Sequence, residues 1–311
     1  MTVYLVTGGA GFIGSHIVHA LVQRGKRVRV LDDLSTGHKH NLQDVLSDIE
    51  LIKGDLTDAR TVNKAVQGVD VIFHQGAVPS VPKSIKNPLL SNDVNVSGTV
   101  QLLHAAVNNG VGRVIYAASS SVYGNSNVLP KREDMPANPL SPYAVSKYAG
   151  ELYCKVFHDV YGLETISLRY FNVFGPKQDP QSEYAAVIPK FIQTMIRNGS
   201  PTIFGDGTQS RDFTYIDNVV LANLLASQAP RLRGETVNIG CGESTTLNHL
   251  VHMINTILNK QITPRYAEER QGDVKHSLAD YQHAYQIIGY QPIISVEEGL
   301  KRTVEWFKAQ E

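Results

Sequence analysis

The sequence predicts an α/β fold, with a doubly wound parallel sheet in its first half and a smaller α/β region in its second. Three observations carry this expectation. Short β-branched runs alternate with helical stretches from residue 3 to residue 169, glycines crowd the first strand-to-helix junction, and the alternation stops at a proline-rich stretch beyond Arg169. Regular strand–helix alternation requires parallel strands joined by crossover helices.

The elements follow in order. Val3–Thr7 reads as a strand, Gly11–Arg24 has helical spacing, and Val28–Leu31 is strand again before an Asp32-Asp33 turn. Further strands are expected at Glu50–Lys53, Val69–Phe73, Gly112–Ala117 and Glu164–Arg169, with helices at Asp58–Val66, Ser91–Asn108 and Pro142–Tyr161 between them. Pro176, Pro180, Pro189 and Pro201 then leave room only for short pieces. Asp217–Ser227 reads as a helix packing back on the large sheet, and the tail as a strand, Thr236–Ile239, with helices at Asn248–Leu258 and Val296–Lys308. The expected division is a first domain of 1–171 plus about 212–236, and a second of 172–211 and 237–311.

The 311 residues suffice for an ample core, and 29 Lys plus Arg balance 29 Asp plus Glu. No basic excess exists to favour nucleic acid or an anionic membrane. No run approaches the ~18 apolar residues a membrane span needs, and no early segment resembles a signal peptide. Cys154 and Cys241 are isolated and lack metal-type spacing, which fits buried thiols in a reducing, cytoplasmic setting. The eleven histidines are scattered. His38-Lys39-His40 reads as an exposed loop, His74 and His276 read as hydrogen-bonded structural groups, and no metal site is expected.

Gly8, Gly11 and Gly14 lie where the first strand meets the first helix. The first lets the chain turn off the strand, the second lets backbone approach a pyrophosphate, and the third permits close helix-on-strand packing. Free N–H groups at the helix start then meet phosphate oxygens, the arrangement of a Rossmann-type dinucleotide site. Asp32, at the end of the second strand, is placed to bond ribose hydroxyls and to repel a 2′-phosphate, which favours NAD over NADP. Asp33 fits a solvated turn. Asp55 is placed equally well to reach an adenine or to cap the following helix.

Ser141-Pro142-Tyr143-Ala144-Val145-Ser146-Lys147 sets a tyrosine and a lysine four apart, on one face of a helix start. A phenol titrating near pH 10 becomes a useful base beside a cation, and a nicotinamide's positive charge would add to that effect. Upstream, the strand through Ala117-Ala118 ends in Ser119, Ser120 and Ser121, at the sheet edge where open α/β folds bind ligands.

The glycine triplet, the strand-end serines and Tyr-x-x-x-Lys, in this order, resemble the extended short-chain dehydrogenase/reductase family. Within it the chain is similar to the NAD-dependent UDP-sugar 4-epimerases, most of all to those taking UDP-N-acetylglucosamine. The second half shares the resemblance through Leu168–Pro176, Ser210–Asp217, Arg270-Gln271-Gly272-Asp273 and the run Tyr184–Lys190. The resemblance implies Tyr143, Lys147 and Ser119 as catalytic groups. It implies NAD contacts from Gly8, Gly11, Phe12, Ile13, Gly14, Asp32, Asp33, Ser35, Gly37, Asp55, Leu56, Gln75, Ala77, Asn95 and Tyr170, besides Tyr143 and Lys147. On the substrate side it implies Pro79, Ser119, Ser120, Ser121, Tyr143, Asn172, Ala186, Val187, Lys190, Phe204, Arg211, Arg270, Asp273 and Ser277. Of these, Asn172 would face the diphosphate, Arg211 and Arg270 would grip it, and the Ile203-Phe204-Gly205 loop would pack on uracil.

Within this family, dehydratases carry an Asp-Glu pair after the strand-end hydroxyl and decarboxylases a Glu; here Ser120 and Ser121 stand instead. Neither can act as a carboxylate, so epimerisation is the expected reaction. Tyr143 would take the C4 hydroxyl proton through Ser119 while NAD⁺ takes the C4 hydride, and Lys147 would hold the nicotinamide ribose. Six positions ring the hexose in similar enzymes, here Pro79, Ser119, Tyr143, Asn172, Ala186 and Ser277. The small Ala186 and Ser277 leave room for a 2-acetamido group, and UDP-glucose and UDP-galactose fit as well. Pro79 departs from the glycine or lysine of the pattern. Two alternatives stand beside this reading: a UDP-glucuronate 4-epimerase, with Lys83 or Lys177 supplying a cation near C6, and a non-catalytic NAD-sensing binding protein. The resemblance further implies a homodimer paired through Ser91–Asn108 and Pro142–Tyr161.

Overall fold

The computed structural model describes residues 2–180, 186–269 and 275–311. Seven strands form the large sheet: β1 (Val3–Thr7), β2 (Arg27–Asp32), β3 (Ile49–Lys53), β4 (Val71–His74), β5 (Arg113–Ser119), β6 (Glu164–Tyr170) and β7 (Glu235–Ile239). Their spatial order is β3-β2-β1-β4-β5-β6-β7, parallel throughout. The order reverses between β1 and β4, and at that switch point the crossovers leave in opposite directions and open a crevice at the carboxyl edge. Register brings Thr7, Leu31 and His74 level, and sets Ser119 beside Tyr170.

Besides two short helices, Val81–Lys86 and Pro88–Asn92, the described helices are α1 (Phe12–Gln23), α2 (Ala59–Val66), α3 (Gly98–Asn108), α4 (Pro142–Tyr161), α5 (Val187–Ile196), α6 (Ile216–Gln228), α7 (Leu247–Leu258), α8 (Gln282–Ile288) and α9 (Val296–Lys308). Alternate strand residues divide between the two faces. Leu5, Ile72 and Val114 pack with the buried residues of α2 and α3 and with Cys154 and Phe157 of α4. Val6, Phe73, Ile115 and Leu168 pack with α1 and α6, and that core runs on without a break into α5, α7 and α9. The substrate-side region therefore shares a core with the sheet.

Three pairs of short strands complete it: Val173–Phe174 with Thr214–Tyr215, Ser210–Arg211 with Thr245–Thr246, and Thr202–Phe204 with Arg265–Ala267. Glu235–Ile239 hydrogen-bonds β6 as the seventh strand of the large sheet, so the boundary expected near residue 236 falls inside a sheet strand. The helix expected over Ser91–Asn108 is interrupted by a π turn at Asp93–Ser97. Within that turn the buried Asn95 amide accepts the Val78 N–H and donates to the Val78 carbonyl and the Ser146 hydroxyl. Among the described residues, no helix is long and apolar enough to cross a membrane.

Candidate active site

The cradle at the switch point is built from backbone. Gly8 adopts φ +64, and a Cβ there would lie 2.7 Å from the Gly76 backbone. A Cβ on Gly14 would lie 2.1 Å from the Gly8 carbonyl oxygen, so only glycine lets α1 start this close to the strand end. Gly11 caps α1 with no side-chain bond, and no acid stands in the first turn, leaving the N–H groups of Phe12, Ile13 and Gly14 open to an anion. The buried Asp32 carboxylate accepts the Ala10 amide at 2.9 Å and the Leu34 amide at 2.8 Å. Gly37 packs so closely that a Cβ would stand 2.9 Å from Asp32 Oδ1. These donors hold the carboxylate still, and each oxygen keeps a lone pair for a ribose hydroxyl.

Asp33 turns back on Ser35, accepting its amide and hydroxyl, in the solvated turn read from sequence. Asp55 accepts the Thr57 amide, whereas the cap of α2 is Asp58, which receives the Arg60 and Thr61 amides. Leu56 is buried against Gly76 and Gly98. Gln75 and Ala77 follow β4, and Gln75 joins Tyr170 and Asn223 in one hydrogen-bonded cluster. Burial pushes the Tyr170 phenol up to about 12, so it stays protonated and serves as a fixed wall group.

Tyr143 and Lys147 sit on α4, whose start is fixed from three sides. Ser141 Oγ accepts the Ala144 amide, Pro142 occupies the first turn, and the buried Ser84 Oγ accepts the Tyr143 amide at 3.0 Å. Burial raises the Tyr143 phenol, and its hydrogen bond with Ser119 draws it back. Lys147 lies one turn on, with its ammonium 4.5 Å from the Tyr116 ring centroid. Tyr116 approaches this closely because Gly150 leaves space: a Cβ there would strike the Tyr116 hydroxyl at 2.2 Å. Burial pulls Lys147 down to about 8, with Cys154 and Glu151 opposing. Beneath it, buried Glu151 pairs with Arg169 at 2.8 Å, and Arg169 also bonds the Tyr123 hydroxyl. The group that tempers the phenol in this geometry is thus Ser119, while Lys147 faces the Tyr116 ring.

A cavity of ≈ 730 Å³ opens on the substrate side, lined by Asn172, Ala186, Val187, Lys190, Phe204 and Arg211 from the expected set. Gln193, Thr194 and Gln209 line it too, and sequence reasoning missed them, because none belongs to a recognisable motif. Asn172, at φ +34, donates from Nδ2 to the Asp212 carbonyl and to Ser277 Oγ. Ser277 is therefore a positioning contact as well as a small residue. Arg211 donates to the Ser210 and Lys275 carbonyls, which orients its guanidinium at the cavity wall. Pro79 is exposed on the loop after β4, outside the residues lining the cavity, as are Ser119, Ser120, Ser121 and Tyr143 at the sheet edge. Arg270 and Asp273 lie outside the described residues, as do residues 181–185.

Of the two lysines considered for a C6 cation, Lys177 donates to the Asn41 carbonyl at 2.8 Å on the cofactor side. Lys83 sits on the short helix Val81–Lys86, away from the cavity lining. His74 bonds Thr7 and Thr99 and is held near 3 by burial, a structural role as read from sequence. His276 bonds Ser210 Oγ. Among the described residues, no group of three or more His, Cys, Asp or Glu could hold a metal ion.

Residues 4–240 match the NAD dependent epimerase/dehydratase family. The fold superposes with a TM-score of 0.96 on the UDP-N-acetylglucosamine 4-epimerase of Methanobrevibacter ruminantium M1 in complex with UDP-N-acetylmuramic acid, at 43% identity over 100% of this chain and 99% of that one. It superposes at 0.95 on the UDP-glucose 4-epimerase of Thermotoga maritima with UDP-glucose, at 38% identity over 99% of each chain. The UDP-glucuronate 4-epimerase of Thermodesulfobacterium geofontis is 35% identical, over 99% of this chain and 97% of its own. The chain belongs to the NAD dependent epimerase/dehydratase family, on the extended short-chain dehydrogenase/reductase fold.

Proposed function

We propose that this chain is an NAD-dependent UDP-sugar 4-epimerase that interconverts UDP-N-acetylglucosamine and UDP-N-acetylgalactosamine, with UDP-glucose and UDP-galactose as a second accepted pair. The observation that carries the reading is the placement of Tyr143. Its phenol bonds Ser119 at the carboxyl edge of the sheet, the edge at which the glycine cradle also opens, and the ≈ 730 Å³ cavity supplies a separate pocket on the second half of the chain. When bound, NAD⁺ supplies a reversible hydride acceptor at the sugar C4.

The chain's own residues do the rest. Ser119 relays the C4 hydroxyl proton to Tyr143, and the buried ammonium of Lys147 holds the nicotinamide ribose. Asn172, Arg211 and Lys190 hold the diphosphate end while the 4-keto sugar turns about its link, and Arg270 and Asp273 complete the nucleotide grip. Asp32 selects NAD through the ribose. Ser120 and Ser121 provide no carboxyl group, which supports epimerisation over elimination or decarboxylation.

The similarity to a glucuronate epimerase favours a second substrate reading, but Lys177 and Lys83 offer it no cation at the cavity. Incubating the protein with each UDP-sugar and resolving C4 epimers by chromatography decides between them. The N-acetylated pair should turn over with the highest kcat/KM, and turnover of UDP-glucuronate alone would reject the proposal.

The protein is further proposed to act as a homodimer. The outward face of α4 exposes Val145, Leu152, Tyr153, Val156 and Val160, an apolar stripe that a second copy's α4 and α3 would cover. Sedimentation should give twice the chain mass, and Val156→Glu should halve it.

A further inference from the structure

We infer that Lys177 is a positioning residue: a strut, thrown from the substrate side, that keeps the dinucleotide cradle closed. This rests on the reading of the cradle as an NAD site. Lys177 follows the Val173–Phe174 strand of the cavity wall and adopts φ +65, a left-handed conformation that favours glycine. A side chain kept in such a backbone has a use for its own atoms.

Its Nζ donates to the Asn41 carbonyl at 2.8 Å and lies 3.4 Å from His19 Nε2. The tautomer of His19 is fixed by its other contact: Nδ1 lies 2.7 Å from the Ser15 carbonyl, which can only accept, so Nδ1 carries the proton and Nε2 offers its lone pair to Lys177. The neighbouring Pro176 carbonyl accepts from His16 Nε2 at 3.0 Å. One corner of the substrate side is thus tied to α1 and to the 3₁₀ segment Lys39–Asp48.

The tie continues into the glycine loop. Asn41 Nδ2 donates to the Ala10 carbonyl at 2.9 Å, joined there by the His38 amide at 3.0 Å. The Ala10 amide donates to Asp32. Both polar atoms of the Ala10 peptide are therefore clamped, and the residue clamping its oxygen has its own backbone held by Lys177. A 3₁₀ segment has strained hydrogen-bond geometry and resists displacement poorly by itself. Burial lowers the Lys177 ammonium, as expected of a charge withdrawn from water to serve two acceptors. An epimerase of the proposed kind ends each cycle with its cofactor restored, so retention of the dinucleotide is what such a strut secures.

The test uses the full-length protein as purified, with nucleotide content measured after gel filtration and release followed by rapid dilution and ultrafiltration. Lys177→Met should release NAD about tenfold faster, the loss of one charge-assisted hydrogen bond. Lys177→Gly relaxes the backbone and cannot misfold through strain; it should release NAD equally fast. Lys177→Arg keeps a donor and should stay within about twofold of the parent. The nucleotide-stripped Lys177→Met protein should keep one cooperative thermal transition, lowered by about 2–4 °C per kcal/mol lost with the hydrogen bond. Unchanged release in both Lys177→Met and Lys177→Gly overturns the strut, as does a Lys177→Arg protein as leaky as Lys177→Met. A parent protein that holds no dinucleotide at all would reject the NAD reading itself.

Discussion

The glycine cradle and the cavity on the second half of the chain are built by different rules. The cradle comes from seven consecutive residues, Gly8 to Gly14, and from strand ends that sheet register brings level. What it presents is largely backbone N–H and the empty space of glycine. The cavity is assembled from short strands and helices at Val173–Phe174, Val187–Ile196 and Thr202–Phe204, with Arg211 and Leu247 arriving separately, and it presents side chains. A site made of backbone should fail abruptly when disturbed, and a site made of side chains should degrade by steps.

The largest effect is expected at the sheet edge, which belongs to neither region. Tyr143→Phe should lower kcat by about 10³-fold while NAD stays bound, because it removes the proton acceptor and leaves the cradle intact. Retained activity would detach the phenol from the chemistry. Next is the cradle: Gly14→Ala drives a Cβ into the Gly8 carbonyl, and should cost about 1–3 kcal/mol of stability together with most of the bound NAD. Urea unfolding and nucleotide content on the same sample check both halves of that statement.

Acid should also act on the cradle first. His16 is held at about 4 and His74 at about 3, both mainly by burial, whereas in the unfolded chain each titrates near 6.5. Between pH 6.5 and 4 the unfolded state binds more protons, so stability falls as pH falls. Well inside that window the two rings together contribute a slope of about 2.7 kcal/mol per pH unit, about 1.36 each, and buried Asp212, pushed up to about 6, offsets about one of them below that pH. Urea midpoints of the parent and of His16→Gln at pH 7, 6 and 5 isolate the His16 share, and parallel profiles would mean that this ring titrates normally. The smallest effect belongs to Ser84→Ala. It leaves the Tyr143 amide without its acceptor and should cost about 1 kcal/mol and a few-fold in kcat, with KM unchanged, in steady-state assays.

The same contrast explains what could be read from sequence. The span of β1 and those of α4 and α9 were legible to the residue, because β-branched runs, the Ser141-Pro142 start and apolar spacing act locally. The helix α5 was hidden by Pro189, which reads as a breaker but lies in the first turn, where proline is tolerated. Gly8, Gly11, Gly14 and Asp32 are read from spacing and place in the chain, whereas most of the other expected cofactor contacts come only from the family resemblance. Gln193, Thr194 and Gln209 reach the cavity only through tertiary packing, and Ser84 reaches Tyr143 across 59 residues of chain. The pairing of Ser277 with Asn172 is equally non-local: residue size was readable, whereas the hydrogen bond was not.

The central claim is that C4 is oxidised and reduced again at one site, between Tyr143 and a resident nicotinamide. Incubation of the holoenzyme with UDP-N-acetylglucosamine deuterated at C4, in ordinary water, tests it most directly. Mass spectrometry of the UDP-N-acetylgalactosamine formed should find the deuterium retained at C4. Product carrying solvent hydrogen at C4 would contradict the account.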